Sequence, residues 1–150
     1  MSIKTAQFLA IVLLALYLVP AGAHLIALPN KIGMDEQSYF TAQQVYRGWA
    51  LSGLVLFGAL FATAMLAFLS RPQTLPFWFA SAGFVLLVAA AVTFFALVFP
   101  ANRATDNWTH VPAGWEALRA RWEYGHAAAA VMILAAVLAA GVASLSWSER

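Results

Sequence analysis

Four stretches of this 150-residue chain carry no Asp, Glu, Lys or Arg: Thr5 to Leu28, Gly48 to Leu69, Phe77 to Phe99 and Ala127 to Ser146. Each approaches or exceeds the roughly 20 apolar residues that a helix needs to cross a hydrocarbon layer about 30 Å thick. Inside lipid every backbone N–H and C=O must pair within the protein, so an apolar run of this length folds as a helix. Four such runs with no large polar segment predict one domain over residues 1–150. The expected fold is all-α, a bundle of four transmembrane helices with both termini on the same side. Composition agrees: 63% of residues are hydrophobic and 9% charged, whereas a soluble domain has about a quarter charged. A net charge of +2 is too small to suggest a nucleic-acid partner. The absence of cysteine removes disulfides and thiolate metal sites. The expected partners are the lipid bilayer and a hydrophobic small-molecule substrate, and a homo-oligomer is compatible with the pattern. The expected location is integral and multi-pass, in the inner or plasma membrane of a bacterium.

Proline and glycine punctuate the runs. The first helix is expected from Lys4 to about Leu28, with a kink at Pro20 and an end at Pro29-Asn30. Ala21-Gly22-Ala23 resembles a secretory cleavage site. Apolar sequence continues past it through Leu28, so an uncleaved first helix is expected. Asp35 or Ser38 can cap the next helix. There Tyr39, Gln43, Tyr46, Ala50 and Gly53 form a stripe continuous with the second span, which ends near Ser70. The third helix is expected to stop at Pro100, before a polar loop from Ala101 to Val111. Pro112 suits the first turn of a fourth helix running to Trp147. Helices two and four would thus extend on one side of the membrane. That side carries ten of the fourteen charged residues and His24, His110 and His126. It holds five Lys and Arg against three, which predicts a cytoplasmic orientation for the long loops.

Most of the polar chemistry lies in Trp115 to His126, WEALRARWEYGH. On a helix, Trp115, Arg119, Trp122 and His126 fall at i, i+4, i+7 and i+11, one stripe, with Glu123 on its shoulder. An ionisable group facing a bundle interior is a functional candidate. His126 is the candidate base, with Glu123 and Arg119 as the charged groups beside it. Trp108, Trp115 and Trp122 suit either an interfacial aromatic belt or the walls of a site for a flat apolar substrate. Tyr46, Gln43 and Asn102 are candidate polar lining. A second arrangement uses His24, His126 and Glu123 as ligands for iron or copper, or the two histidines for haem. Those residues come from separate helices without local ligand spacing. A third class is a non-enzymatic assembly factor or small-molecule binder.

Pro100-x-Asn102, Trp108, then Pro112-x-x-Trp115-x-x-Leu118-Arg119-x-Arg121-Trp122-Glu123-x-x-His126 resembles the anthrone-oxygenase-like family of small four-helix membrane proteins, much of which is filed as a domain of unknown function. Pro29 and the Gln43-Gln44 segment also fit. The resemblance spans most of the chain, and its specific part is the third loop with the start of helix four. One position departs from the pattern: an arginine often follows the histidine by three residues, and this chain has Ala129 there. The resemblance implies oxidation of a phenolic carbon acid by dioxygen without a cofactor. It further implies His126 as base, Glu123 fixing its tautomer, Arg119 facing the oxyanion and the tryptophans stacking on the rings.

Overall fold

A computed structural model describes residues 1–149. The elements are α1 (Ile3–Lys31), α2 (Glu36–Gln43), short 3-10 turns at Gln44–Tyr46 and Trp49–Leu51, α3 (Ser52–Leu69), α4 (Thr74–Thr93), a π-helical turn at Phe94–Val98, α5 (Phe99–Ala104) and α6 (Trp115–Leu145). No strand occurs among the described residues. Four spans are long and apolar enough to cross a membrane: α1, Trp49–Leu69, Thr74–Ala104 and α6. The chain is an all-α, integral membrane helical bundle. α1 packs on α3 and α6, and α4 packs on the same two, which closes a four-helix ring. An ion pair between Lys4 and Glu149 brings the two chain ends together on one side.

Side-chain size explains the packing. Buried positions are mostly small: Ala6, Ala10, Ala59, Ala62, Ala80, Ala90, Ala130, Ala136 and Ala140, with Leu14, Leu66, Leu87 and Ile133 between them. Phe57, Phe61, Trp78, Val92 and Leu138 point outward. Lipid tails are as apolar as these side chains, so bundle helices gain by close backbone approach and place bulk toward lipid. The closest approach lies near the polar end. A Cβ added at Gly125 would sit 3.0 Å from Val98 Cγ2 and 3.1 Å from Leu97 Cβ. This glycine lets α6 touch the π-helical turn one residue before His126.

Several expected boundaries move. α1 runs through Pro29 to Lys31. Pro29 withholds one helical donor, but the Ile32 N–H reaches the Leu28 carbonyl and the ladder resumes. The third span likewise continues through Pro100. The π-helical turn puts the Phe99 N–H on the Phe94 carbonyl, a wider turn. Pro100 then starts a new register, where its missing donor costs little. The Tyr39-to-Gly53 stripe is not one continuous helix. Gly48 adopts φ 88°, a left-handed conformation that glycine enters without steric cost, and the chain turns there into α3. α6 begins at Trp115, after Gly114, and not at Pro112, and it ends at Leu145. Its 31 residues still span about 46 Å at about 1.5 Å per residue, beyond the hydrocarbon core. Asp35 caps α2 as expected, accepting from the Ser38 N–H at 2.9 Å. The Ser38 N–H and hydroxyl hold the Asp35 carboxyl below its ordinary pKa.

Candidate functional site

α1 and α6 are antiparallel neighbours, so the last turns of α1 meet the first turns of α6. Carrying α1 two residues past Pro29 puts Lys31 on the same face as His24, seven residues earlier. On α6, Glu123 lies three residues before His126. These two pairs meet. Lys31 Nζ and Glu123 Oε1 are 2.8 Å apart, with side chains 6% and 0% exposed. Bare charges at such depth are costly, and a buried pair persists when further hydrogen bonds complete it. α2 supplies them. Lys31 Nζ donates to Gln43 Oε1 at 3.0 Å and to Tyr46 Oη at 3.3 Å. Gln43 Nε2 donates to Tyr39 Oη at 2.9 Å, and the Tyr39 hydroxyl donates to Glu123 Oε1 at 3.0 Å. Lys31, Gln43, Tyr39 and Glu123 therefore form a closed ring of hydrogen bonds. Burial first, and then the Glu123 carboxylate, raise the pKa of the Tyr39 phenol well above its ordinary value. The same two causes raise that of Tyr46. Both phenols are thus protonated hydrogen-bond donors across the physiological range.

Aromatic rings wall this cluster. The Lys31 ammonium lies 4.5 Å from the ring centroids of both Tyr46 and Trp122. One turn deeper, the His24 and His126 imidazoles stack with centroids 4.0 Å apart and planes 23° from parallel. Trp122 presents its ring to both histidines at 4.8 and 4.3 Å, and Tyr46 lies 4.5 Å from His24. Phe94, the first residue of the π-helical turn, approaches His126 edge-on at 6.1 Å. Two imidazolium rings at stacking distance would repel, so the pair keeps at least one neutral ring able to act as a base. Three of the four buried side-chain polar atoms that lack a partner among the described residues belong to this region: His24 Nδ1, Arg119 Nε and Glu123 Oε2. In native interiors such atoms are rare and mark places where a further polar group belongs.

The expected stripe does face inward, but its members divide. Trp122 joins the histidines. Trp108 and Trp115 pack with Tyr39 and Phe40 in a second cluster toward the loops, which Trp122 also joins through Trp108. Arg119 donates to the Met34 carbonyl and lies 4.6 Å over the Trp115 ring. It fastens the turn after α1, and seven residues separate it from His126, about 10.5 Å along the helix. Glu123 hydrogen-bonds to Lys31 and Tyr39 and makes no hydrogen bond to His126 among the described residues. Orienting the imidazole thus falls to stacking. No three His, Asp or Glu side chains come together in metal-holding geometry among the described residues. His24, His126 and Glu123 do not form such a group, and the two imidazoles are in stacking contact. His110 is exposed on the loop, outside the cluster.

Asn102 holds the tryptophans in place. Its Oδ1 accepts from Trp108 Nε1 at 3.0 Å and from Trp122 Nε1 at 2.8 Å. The loop that delivers Trp108 is strained. Asp106, Asn107 and Trp108 have φ of 47°, 53° and 64° in succession. The left-handed region costs a non-glycine residue about 1–2 kcal/mol, less for Asp and Asn. Offsetting bonds exist: the Trp108 N–H reaches Thr105 Oγ1 at 3.1 Å, and its carbonyl accepts from Gln44 Nε2 at 3.0 Å. Asn102→Leu will orphan two indole donors at once. An unsatisfied buried donor costs about 1–3 kcal/mol, so the variant should melt well below wild type in detergent. Tryptophan fluorescence will report the change. An unshifted melting temperature would show that water replaces the carbonyl without loss.

No protein-family model, curated protein or solved structure matches this chain.

Proposed function

We propose that this protein is a membrane-embedded oxygenase acting on a small hydrophobic phenolic carbon acid, as its resemblance to anthrone oxygenases implies, in the inner or plasma membrane of a bacterium. One observation carries the reading. His126 stacks on His24 among aromatic rings at the head of the bundle, one turn from a buried Lys31–Glu123 pair. A carbon acid needs a base at its ring methylene and a positive field near the oxygen that becomes an enolate. His126 is the base and the Lys31 ammonium the cation, with Trp122 and Tyr46 as the aromatic faces beside them.

The chemistry balances with dioxygen as the oxidant. His126 takes one methylene proton, leaving a delocalised enolate. The enolate gives one electron to dioxygen. The resulting radical and superoxide join in a carbon–oxygen bond, and the peroxide takes up a proton. Loss of the second methylene hydrogen and cleavage of the O–O bond release water and leave a carbonyl. The methylene and O2 become C=O and H2O, and His126 returns to neutral. The ion pair supplies the field, and the rings exclude water from the enolate.

The test is oxygen uptake by detergent-purified protein given anthrone, with and without a metal chelator. One O2 should be consumed per anthraquinone formed, and the chelator should make no difference. A rate equal to that of empty detergent would sink the proposal. A visible absorption band with stoichiometric metal would instead point to a redox cofactor.

A further inference from the structure

The donor count of the buried ring leads beyond this reading. An ammonium has three N–H donors and no lone pair. Lys31 directs bonds to Glu123 Oε1, Gln43 Oε1 and Tyr46 Oη, so its donors are spent and Tyr46 is necessarily the acceptor in the third. Gln43 and Tyr39 each pass a donor onward around the ring. Two capacities remain. The Tyr46 hydroxyl proton goes to no acceptor among the described residues, while its oxygen lies against a cation that polarises the O–H bond. Glu123 Oε2 is fully buried and accepts from nothing among them. Both residues bind the same ammonium. Tyr46 is half-buried, and its ring touches His24 and Trp122, so it borders the stacked histidines. Arg119, fastened to Met34, is the more distant cation.

We propose that the Tyr46 hydroxyl and Glu123 Oε2 form a donor–acceptor pair that reads the polar edge of an aromatic ketone bearing a hydroxyl group. Tyr46 donates to the carbonyl oxygen and, backed by Lys31, holds the oxyanion when the substrate ionises. Glu123 Oε2 accepts from the ligand hydroxyl. This rests on the proposed function for the identity of the reaction, but the pair can be tested without turnover. A donor aimed at a developing oxyanion strengthens as charge grows. A carboxylate oxygen left unpaired in a buried site selects against ligands without a hydroxyl to offer it.

The experiment uses anthrone under argon with the full chain in detergent, read by infrared spectroscopy. Bound to wild type, the anthrone carbonyl stretch should move to lower wavenumber than in empty detergent. In Tyr46→Phe, which removes one oxygen and keeps the ring, the band should return to its detergent position and anthrone should bind about tenfold more weakly. An unmoved band in wild type, or a shift that survives in Tyr46→Phe, overturns the donor assignment whatever the oxygen uptake. A shift lost in Tyr46→Phe with no oxygen uptake by wild type supports the pair and removes the oxygenase reading. The acceptor half is read by 3-hydroxybenzophenone against benzophenone. Tighter wild-type binding of the hydroxylated ketone supports it, and equal or weaker binding overturns it.

Discussion

Glu123→Ala will destabilise the bundle by about 3–5 kcal/mol, the range for removing one partner of a buried ion pair. Glu123 is the only acid in contact with the Lys31 ammonium among the described residues. Without it a charge with 6% of its side chain exposed stays buried, held by Gln43 and a 3.3 Å bond to Tyr46. Tyr39 also loses its acceptor. The double variant Lys31→Met with Glu123→Leu removes both charges and keeps apolar bulk, so it should recover much of the loss. Apolar replacement of a buried pair is often neutral. Unfolding in detergent of Lys31→Met, Glu123→Leu and the double variant, followed by circular dichroism, closes the cycle and gives the coupling energy. Equal losses in the single and double variants would mean that packing of α2, and not the charge, sets the stability.

His126→Ala should lower anthrone-dependent oxygen uptake by about 10²–10⁴-fold, the usual contribution of a general base. Gly125, not His126, makes the close contact with the π-helical turn. The melting temperature should therefore change far less than the rate. His24→Ala separates the roles within the stack. It removes the ring that orients His126 and leaves the base, so uptake should fall by less than in His126→Ala. A His126→Ala protein with wild-type oxygen uptake would move the proposed base elsewhere. Comparable losses in both variants would make the stacked pair one functional unit.

The resemblance to anthrone oxygenases and the helical stripe rest on the same residues of α6. The buried ring around Lys31 is a separate observation. Lys31 was legible in principle. It stands seven residues after His24, which is one helical face. Ending the first helix at Pro29 hid this by assigning Lys31 to a loop. The proline rule is sound for helix interiors, but within the last turn the cost is one hydrogen bond, and Ile32 restores the ladder. Similarly, the resemblance implied that Glu123 fixes the tautomer of His126, one turn away. The nearer cation won, because an ammonium with three donors satisfies a buried carboxylate better than a single ring N–H. Gln43 and Tyr46 were expected among the site residues from their stripe. Their roles depend on the break at Gly48, which lets α2 lie over the helix ends.

Sequence alone determined the membrane fold, because lipid leaves an uncharged run of some twenty residues with few alternatives to a spanning helix. It also determined that the chain's charged and histidine side chains concentrate at one end, since their positions follow from the alternation of the spans. The partners were decided only by tertiary structure. Which carboxylate meets which cation depends on the height at which α1 and α6 pass each other. Small buried residues pack α1 against α6, and Gly125 seats α6 on Leu97 and Val98 of a π-helical turn without a sequence periodicity of its own. A shift of one helical turn, about 5.4 Å, would part Lys31 from Glu123 and His24 from His126.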